Sequence, residues 1–315
     1  MQCGVGSTEF FLPTRELLTM VKTYKHGDST TAKFMKAALV DKGAATLTKT
    51  RMQTTFKALE AFGKQQRWGA VDPASLTVKQ LKGFVAARIE EGIGARSIQN
   101  EMSHVRRALE GVGRVEFAQD VCSNKELGVP SGTRIGSGKV VEPEVLQRAL
   151  ERAPADTKAL IELSRSLGLR EREAIQSANS LREWGRALSQ GQPIIVRDGT
   201  KGGRARSVVV APGGLERALG AVKAAQTVLE QQKQLVVSKS LKAAVEQHSD
   251  RLAKLGLKGE NSCHSLRRAF AMEQYKHYLA AGCNQKVALS RTSNDLGHGD
   301  GRGRWVFNNY IRNSL

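Results

Sequence analysis

The residues best suited to chemistry lie in the last fifty or so positions of the chain. His264-Ser265-Leu266-Arg267 opens a helical run, Leu296-Gly297-His298 follows, and Tyr310 comes after Asn308-Asn309. A guanidinium and two imidazoles can grip the oxygens of a phosphodiester through charge-assisted hydrogen bonds, and a phenol can attack its phosphorus. More cations of the right type lie far upstream. Arg170 stands in Gly168-Leu169-Arg170, where an apolar helix should give way to a turn, with Glu173 three residues on, and Lys201 stands in Thr200-Lys201-Gly202-Gly203.

Such groups must be brought together by a scaffold, and at 315 residues the chain is long enough for two domains with separate cores. It carries 49 Lys and Arg against 30 Asp and Glu, a net charge of +19 spread along its length. Distributed basic charge fits a polyanion such as nucleic acid, because each neutralised phosphate releases condensed counterions. Aromatics make up only 5% of the residues, which disfavours a base-stacking platform for single strands and points to double-stranded DNA. The four cysteines, Cys3, Cys122, Cys263 and Cys283, form no CxxC and indicate neither a zinc site nor a disulfide framework. Neighbouring Cys263 and His264 point different ways on a helix start and do not make a catalytic pair. No apolar run reaches the ~18 residues of a membrane span and no signal peptide is recognisable, so a cytoplasmic, nucleoid-associated protein without membrane contact is expected.

Residues 1 to about 12 lack periodicity, and helical spacing begins near Thr14 with Leu17, Leu18 and Val21. Further helices are expected from Ser29 or Thr30, and through Met52, Phe56, Leu59 and Phe62. Val78, Leu81 and Val85, a break at Glu91-Gly92-Ile93-Gly94, and Ile98, Met102, Val105 and Leu109 give the outline of a helix-turn-helix. Arg96, Gln99, Asn100, His104, Arg106 and Arg107 fall on the polar side of its second helix and suit base edges and phosphates; a plain solvated face is the alternative. Gly128 to Val141, with Arg134 and Lys139, is rich in Gly, Pro and Ser and marks a basic linker that could cross a duplex and let two domains close around it.

Beyond it, Glu142-Pro143-Glu144 starts a helix, Leu160, Leu163 and Leu167 mark a second, and Gly168 should end it. Ile194-Ile195-Val196 and Ser207-Val208-Val209-Val210 flank a Gly-rich turn and read as a β-hairpin with Lys201, Arg204 and Arg206 at its tip. Helices follow along Leu215 to Leu229, Leu241 to Leu255, and His264 to Ala281. His248 falls on an apolar face and is given no role. The expected fold is mainly α with a small antiparallel β-sheet, in three segments: residues 1–127, a 128–141 linker, and 142–315.

With these motifs in order, the chain resembles the tyrosine recombinases of the phage-integrase family. The stretch Gly94-Ala95-Arg96-Ser97-Ile98-Gln99-Asn100, with Ser103 and Arg106, is similar to the family's helical core-binding domain. The resemblance implies a core-binding domain followed by an α+β catalytic domain that cleaves and rejoins DNA through a 3′-phosphotyrosyl bond, without metal, cofactor or ATP. It implies that Arg170 and Arg267 clamp the phosphate, that His264 acts as base and His298 adds a hydrogen bond, that Lys201 protonates the leaving oxygen, that Glu173 orients Arg170 or His264, and that Tyr310 is the nucleophile. It also implies a homo-tetramer on a synaptic complex and accessory DNA-bending proteins as partners. Tyr310 follows His298 by twelve positions, a few more than is usual in the family, across a Gly- and Arg-rich stretch in which Arg302 and Arg304 could touch DNA. That stretch reads either as a flexible carrier for the tyrosine or as the mark of an altered active site, and the few residues after Tyr310 are expected to couple protomers only modestly. A non-catalytic helix-turn-helix regulator and a type IB topoisomerase stand as alternatives.

Overall fold

The computed structural model describes residues 27–40, 44–132 and 139–314. The helix expected from Thr14, together with Cys3, Tyr24 and Arg134, lies outside these residues. The chain divides into two compact units, Met1–Thr133 and Arg134–Leu315.

The first unit is helical: α1 Thr30–Ala38, α2 Thr46–Gln65, α3 Val78–Glu90 and α4 Ala95–Gly111, followed by a short π-helical turn at Phe117–Val121. Ser29 caps α1 by accepting from the Ala32 amide at 3.2 Å. Thr77 and Gln80 form a reciprocal capping box on α3. Apolar residues of α4 recur every three or four positions and so share one face. Ile98, Met102, Val105 and Leu109 are accordingly sealed against Phe34, Met52, Phe56, Leu59, Leu81 and Phe84. Each such side chain, fully buried, contributes about 1.5–3 kcal/mol.

The second unit holds α5 Pro143–Arg152, α6 Ala155–Leu167, α7 Glu171–Ile175, α8 Leu181–Ser189, α9 Leu215–Gln232, α10 Leu241–Lys254, α11 Cys263–Ala280, α12 Gln285–Asp295 and α13 Gly303–Val306, which runs into a π-helical turn at Phe307–Ile311. Between α8 and α9 lies one antiparallel hairpin, β1 Ile194–Val196 and β2 Arg206–Val208, with Ile194 opposite Val208 and Val196 opposite Arg206. Mainly helical with one small sheet, the architecture is the one expected. The second strand stops earlier than its β-branched run predicts, because side chains take over its backbone. Val209 donates to Asp295 Oδ1 at 3.2 Å and its carbonyl accepts from Gln274 Nε2 at 2.6 Å. The Trp184 indole donates to the Ile195 carbonyl at 2.8 Å, which fastens α8 to the hairpin with no buried donor left over.

α6 and α9 pack along each other and form the spine of the main core with Leu160, Leu163, Leu167, Val222 and Phe270. Gly168 ends α6 in the left-handed conformation at φ 61°. A side chain there would also collide with Phe270, 2.3 Å from where its Cβ would stand. This forced turn delivers Arg170 to the start of α7. The stretch read as a linker is anchored at both ends, Val129 in the first unit's core and Val141 in the second's.

Candidate active site

Several elements and turns of the second unit contribute to one open cavity of about 1050 Å³, lined among others by Arg170, Lys201, Arg204, Arg206, His264, His298, Arg302, Trp305 and Tyr310. Glu173 organises its floor. It is fully buried, and its carboxylate accepts the Arg170 amide at 2.8 Å and Arg170 Nη1 at 2.5 Å. It also takes a two-pronged fork from Arg206 at 2.6 and 2.7 Å, and Arg267 Nη1 lies 3.6 Å away. Burial alone would raise the Glu173 carboxyl, but the Arg206 fork, the charge of Arg267 and the Arg170 amide hold it below the usual carboxylate range.

Arg267 lies on the first turn but one of α11 and is wholly buried, donating to the Gly168 and Leu296 carbonyls. Burial pulls it down to about 10, with Tyr310 and Glu173 resisting, so it stays a cation at neutral pH. The Gly168 carbonyl that receives it belongs to the residue that ends α6. The Leu296 carbonyl lies just before Gly297-His298, so Arg267 ties three parts of the site together.

Tyr310, only 1% exposed, sits in the terminal π-helical turn with its hydroxyl 3.3 Å from His298 Nε2. Its ring lies 5.2 Å, centroid to centroid, from His264 and 5.7 Å from Trp305. His298 in turn packs at 4.4 Å against the Trp305 ring. Burial first, and then Arg267, Arg170 and Arg206, pull His298 down to about 3. His264 lines the cavity and is exposed to it. Partial burial of its ring, with Arg268, Arg267 and Arg170, lowers it to about 4. Both imidazoles are therefore neutral at pH 7. Of the two, the one whose nitrogen lies within reach of the phenol is His298, where the family resemblance implies His264 as base.

The connector before Tyr310 is pinned. Ser293 Oγ donates to the Gly299 carbonyl at 2.8 Å, Ser290 Oγ to Asp300 Oδ1 at 2.7 Å, and the Gly301 amide to the same oxygen at 2.9 Å. Instead of a free carrier, it forms a strapped turn leading into α13. Arg302 and Arg304 are exposed, and Arg302 lines the cavity.

Several basic residues expected on a DNA face are placed otherwise. Arg206 belongs to β2 and not to the tip, is 8% exposed, and is committed to Glu173 and, through Nε at 3.1 Å, to the Asp295 carbonyl. In the first unit Arg106 donates to the Cys122 carbonyl and Asn124 Oδ1, both at 3.0 Å, and Arg107 to the Ala38 carbonyl at 2.8 Å. These two brace α4 against its neighbours. Gln99 donates to the Pro130 carbonyl at 3.1 Å and accepts from Arg96, while His104 lies 2.9 Å from Thr55 Oγ1. Arg96 and Asn100 remain exposed, as does Arg204 on the hairpin turn beside Lys201. Lys139 pairs with Glu260 at 2.7 Å on the surface.

Trp305, Asp295 and Gln274 were not singled out from the sequence. A tryptophan next to the tyrosine and a buried acid directly before Leu296-Gly297-His298 were the available signals. Partial burial pushes the Cys263 thiol up to about 12, away from the thiolate form. Among the described residues, no three His, Cys, Asp or Glu side chains converge as metal ligands would. No described helix is long and apolar enough to cross a membrane.

A family model described as integrase matches residues 128–273, and one described as phage integrase, N-terminal, matches residues 33–118. The chain belongs to the phage-integrase family of tyrosine recombinases. The integrase match takes in Arg170, Glu173, Lys201, His264 and Arg267 and ends before His298 and Tyr310. No curated protein matches the sequence. Among solved structures, the Tn1549 transposon integrase in complex with transposon right-end DNA is similar at a TM-score of 0.57 and 14% identity, over 89% of this chain and 94% of that one. A lambda integrase dimer bound to a COC′ core site is similar at 0.55 and 17% identity, over 91% of this chain and 77% of that one. At such identities the likeness is one of fold.

Proposed function

We propose that this phage-integrase family member is a site-specific recombinase that cleaves and rejoins double-stranded DNA through a 3′-phosphotyrosyl intermediate. The observation that carries this reading is the Tyr310 hydroxyl, set against a neutral imidazole in a cavity walled by Arg170, Lys201 and His264 with Arg267 behind it. Arg170 and Arg267 stabilise the charge that grows on the non-bridging oxygens. His264 borders the same oxygens. The phenolic proton passes to His298 as the tyrosyl oxygen bonds to phosphorus, and the bond from phosphorus to O5′ breaks as Lys201 gives that oxygen a proton. One P–O bond replaces another, so a 5′-hydroxyl can reverse the step and reseal the strand without ATP.

In this reading residues 1–127 form the core-binding domain, 128–141 the linker and 142–315 the catalytic domain. Arg96 and Asn100, with Arg204, Arg302 and Arg304, are the exposed groups best placed for DNA, and the cytoplasmic nucleoid is the place of action. Tn1549 integrase is bound to transposon DNA in its solved structure, and lambda integrase forms a tetramer on a Holliday junction. The first supports DNA as partner and the second a homo-tetramer as the synaptic assembly, to which accessory DNA-bending proteins would add.

The test uses a library of duplex fragments nicked so that a cleaved strand cannot reseal. Wild-type protein should accumulate a covalent adduct at a defined sequence, and Tyr310→Phe should bind equally well and form none. A wild-type chain that binds but never forms an adduct is a regulator and not a recombinase. Adducts at arbitrary sequence, with relaxation of any supercoiled plasmid, would identify a topoisomerase.

A further inference from the structure

The turn that carries Lys201 is exposed from Lys201 to Ala205, and the hairpin beneath it has only three residues in each strand. A ladder this short cannot by itself hold a side chain to the tolerance that proton transfer demands. What fixes the turn is where its two feet stand. On one side Gly199, at φ 72°, lies so close to α7 that a Cβ there would be 2.6 Å from the Arg172 carbonyl oxygen and 2.9 Å from Glu173 Cα. On the other side Arg206 drives its fork into the Glu173 carboxylate at 2.6 and 2.7 Å and holds the Asp295 carbonyl at 3.1 Å. Both feet thus rest on the short helix whose first residue follows Arg170. The carboxylate gripped by Arg206 also holds the Arg170 amide and guanidinium.

We propose that Arg206 is a positioning residue that locks the Lys201 turn to Arg170 through Glu173, so that the proton donor and the phosphate clamp keep a fixed spacing. This rests on the recombinase reading above. Two parallel hydrogen bonds from a planar guanidinium define an orientation, which the single point charge of a lysine cannot. Arg206→Lys should therefore keep the charge balance around Glu173 and lose the alignment of Lys201.

The experiment compares single-turnover cleavage at the mapped site on ordinary DNA and on DNA with sulfur in place of the bridging 5′ oxygen. A thiolate leaves without being protonated, so the sulfur substrate does not need the acid. Arg206→Lys should lose about 100-fold on the oxygen substrate, the usual worth of a general acid, and cleave the sulfur substrate at close to the wild-type rate. Lys201→Ala should show the same pattern, and Arg170→Ala should be slow on both. Equal losses on the two substrates for Arg206→Lys would mean that the residue supports only the clamp or the core, and would overturn the proposal, as would no loss on either. If Arg206→Lys does not fold, Gly199→Ala, which shifts the other foot, must show the same sulfur rescue or the proposal falls. A wild-type chain inert on both substrates would instead overturn the recombinase reading, and this inference with it.

Discussion

Partial burial and neighbouring arginines hold His264 and His298 below the ordinary imidazole range, and this has two measurable consequences. Their values in the folded chain, about 4 and about 3, lie below the ordinary 6.5. On acidification the unfolded chain then takes up protons that the folded site refuses, so stability falls as pH drops from about 6.5 toward 4. The melting temperature should decrease between about pH 7 and pH 5, and less so in the His264→Asn, His298→Asn double variant; an unchanged slope would show that the histidines do not carry the effect. The second consequence concerns the base. With His298 Nε2 facing the phenol, His298→Ala should slow adduct formation about 100-fold and more than His264→Ala does; the reverse order would return the role to His264. Glu173 is a third test at this scale. Removing a buried charge from among three guanidiniums by Glu173→Gln should cost about 3 kcal/mol in urea unfolding, and an effect near zero would mean that the cluster balances without it. Residue types and order pointed to Arg170, Glu173, Lys201, His264, Arg267, His298 and Tyr310, of which all but Glu173 and Arg267 line the one cavity. The commitment of Arg206 was not legible, because a basic residue beside a glycine-rich turn looks the same whether it faces solvent or a buried carboxylate.

Helices with an apolar stripe, such as α4 and α6, could be read directly from spacing. α12 could not, since residues it buries, Thr292, Ser293 and Asp295, are polar and serve as hydrogen-bonding groups. Its Asp295 accepts from the Val209 amide, Gln274 and Tyr278, which holds the hairpin and the segment before His298 on one support. α8 was missed for another reason. It is short, and Leu181, Trp184 and Leu188 are its buried residues. At the junction of α6 and α7 the sequence was explicit, since glycine alone tolerates both the backbone and the space. Gly168→Ala meets a left-handed φ and the Phe270 ring together, and should cost about 2–4 kcal/mol. Because Arg170 lies two residues on, adduct formation should fall by more than the loss of folded protein explains. Thermal melting read beside single-turnover cleavage separates the two, and a variant of wild-type stability would show that the ring gives way.

For the whole molecule, a charge of +19 should make DNA binding steeply salt-dependent. Log affinity should fall linearly with log salt, by about 0.9 for each phosphate neutralised. A flat response in a salt titration would remove the backbone contacts from the picture. On the recombinase reading proposed above, the same charge would bring the protein onto far more DNA than it cuts. Here the burial of Tyr310 acquires a second meaning. A phenol that is 1% exposed is reachable only by a phosphate that has entered the cavity, so on that reading strands resting elsewhere on the basic surface would be held without being nicked. On that reading fidelity depends on admission and not on reactivity. A recombinase so built would search a genome by contact without damaging what it reads.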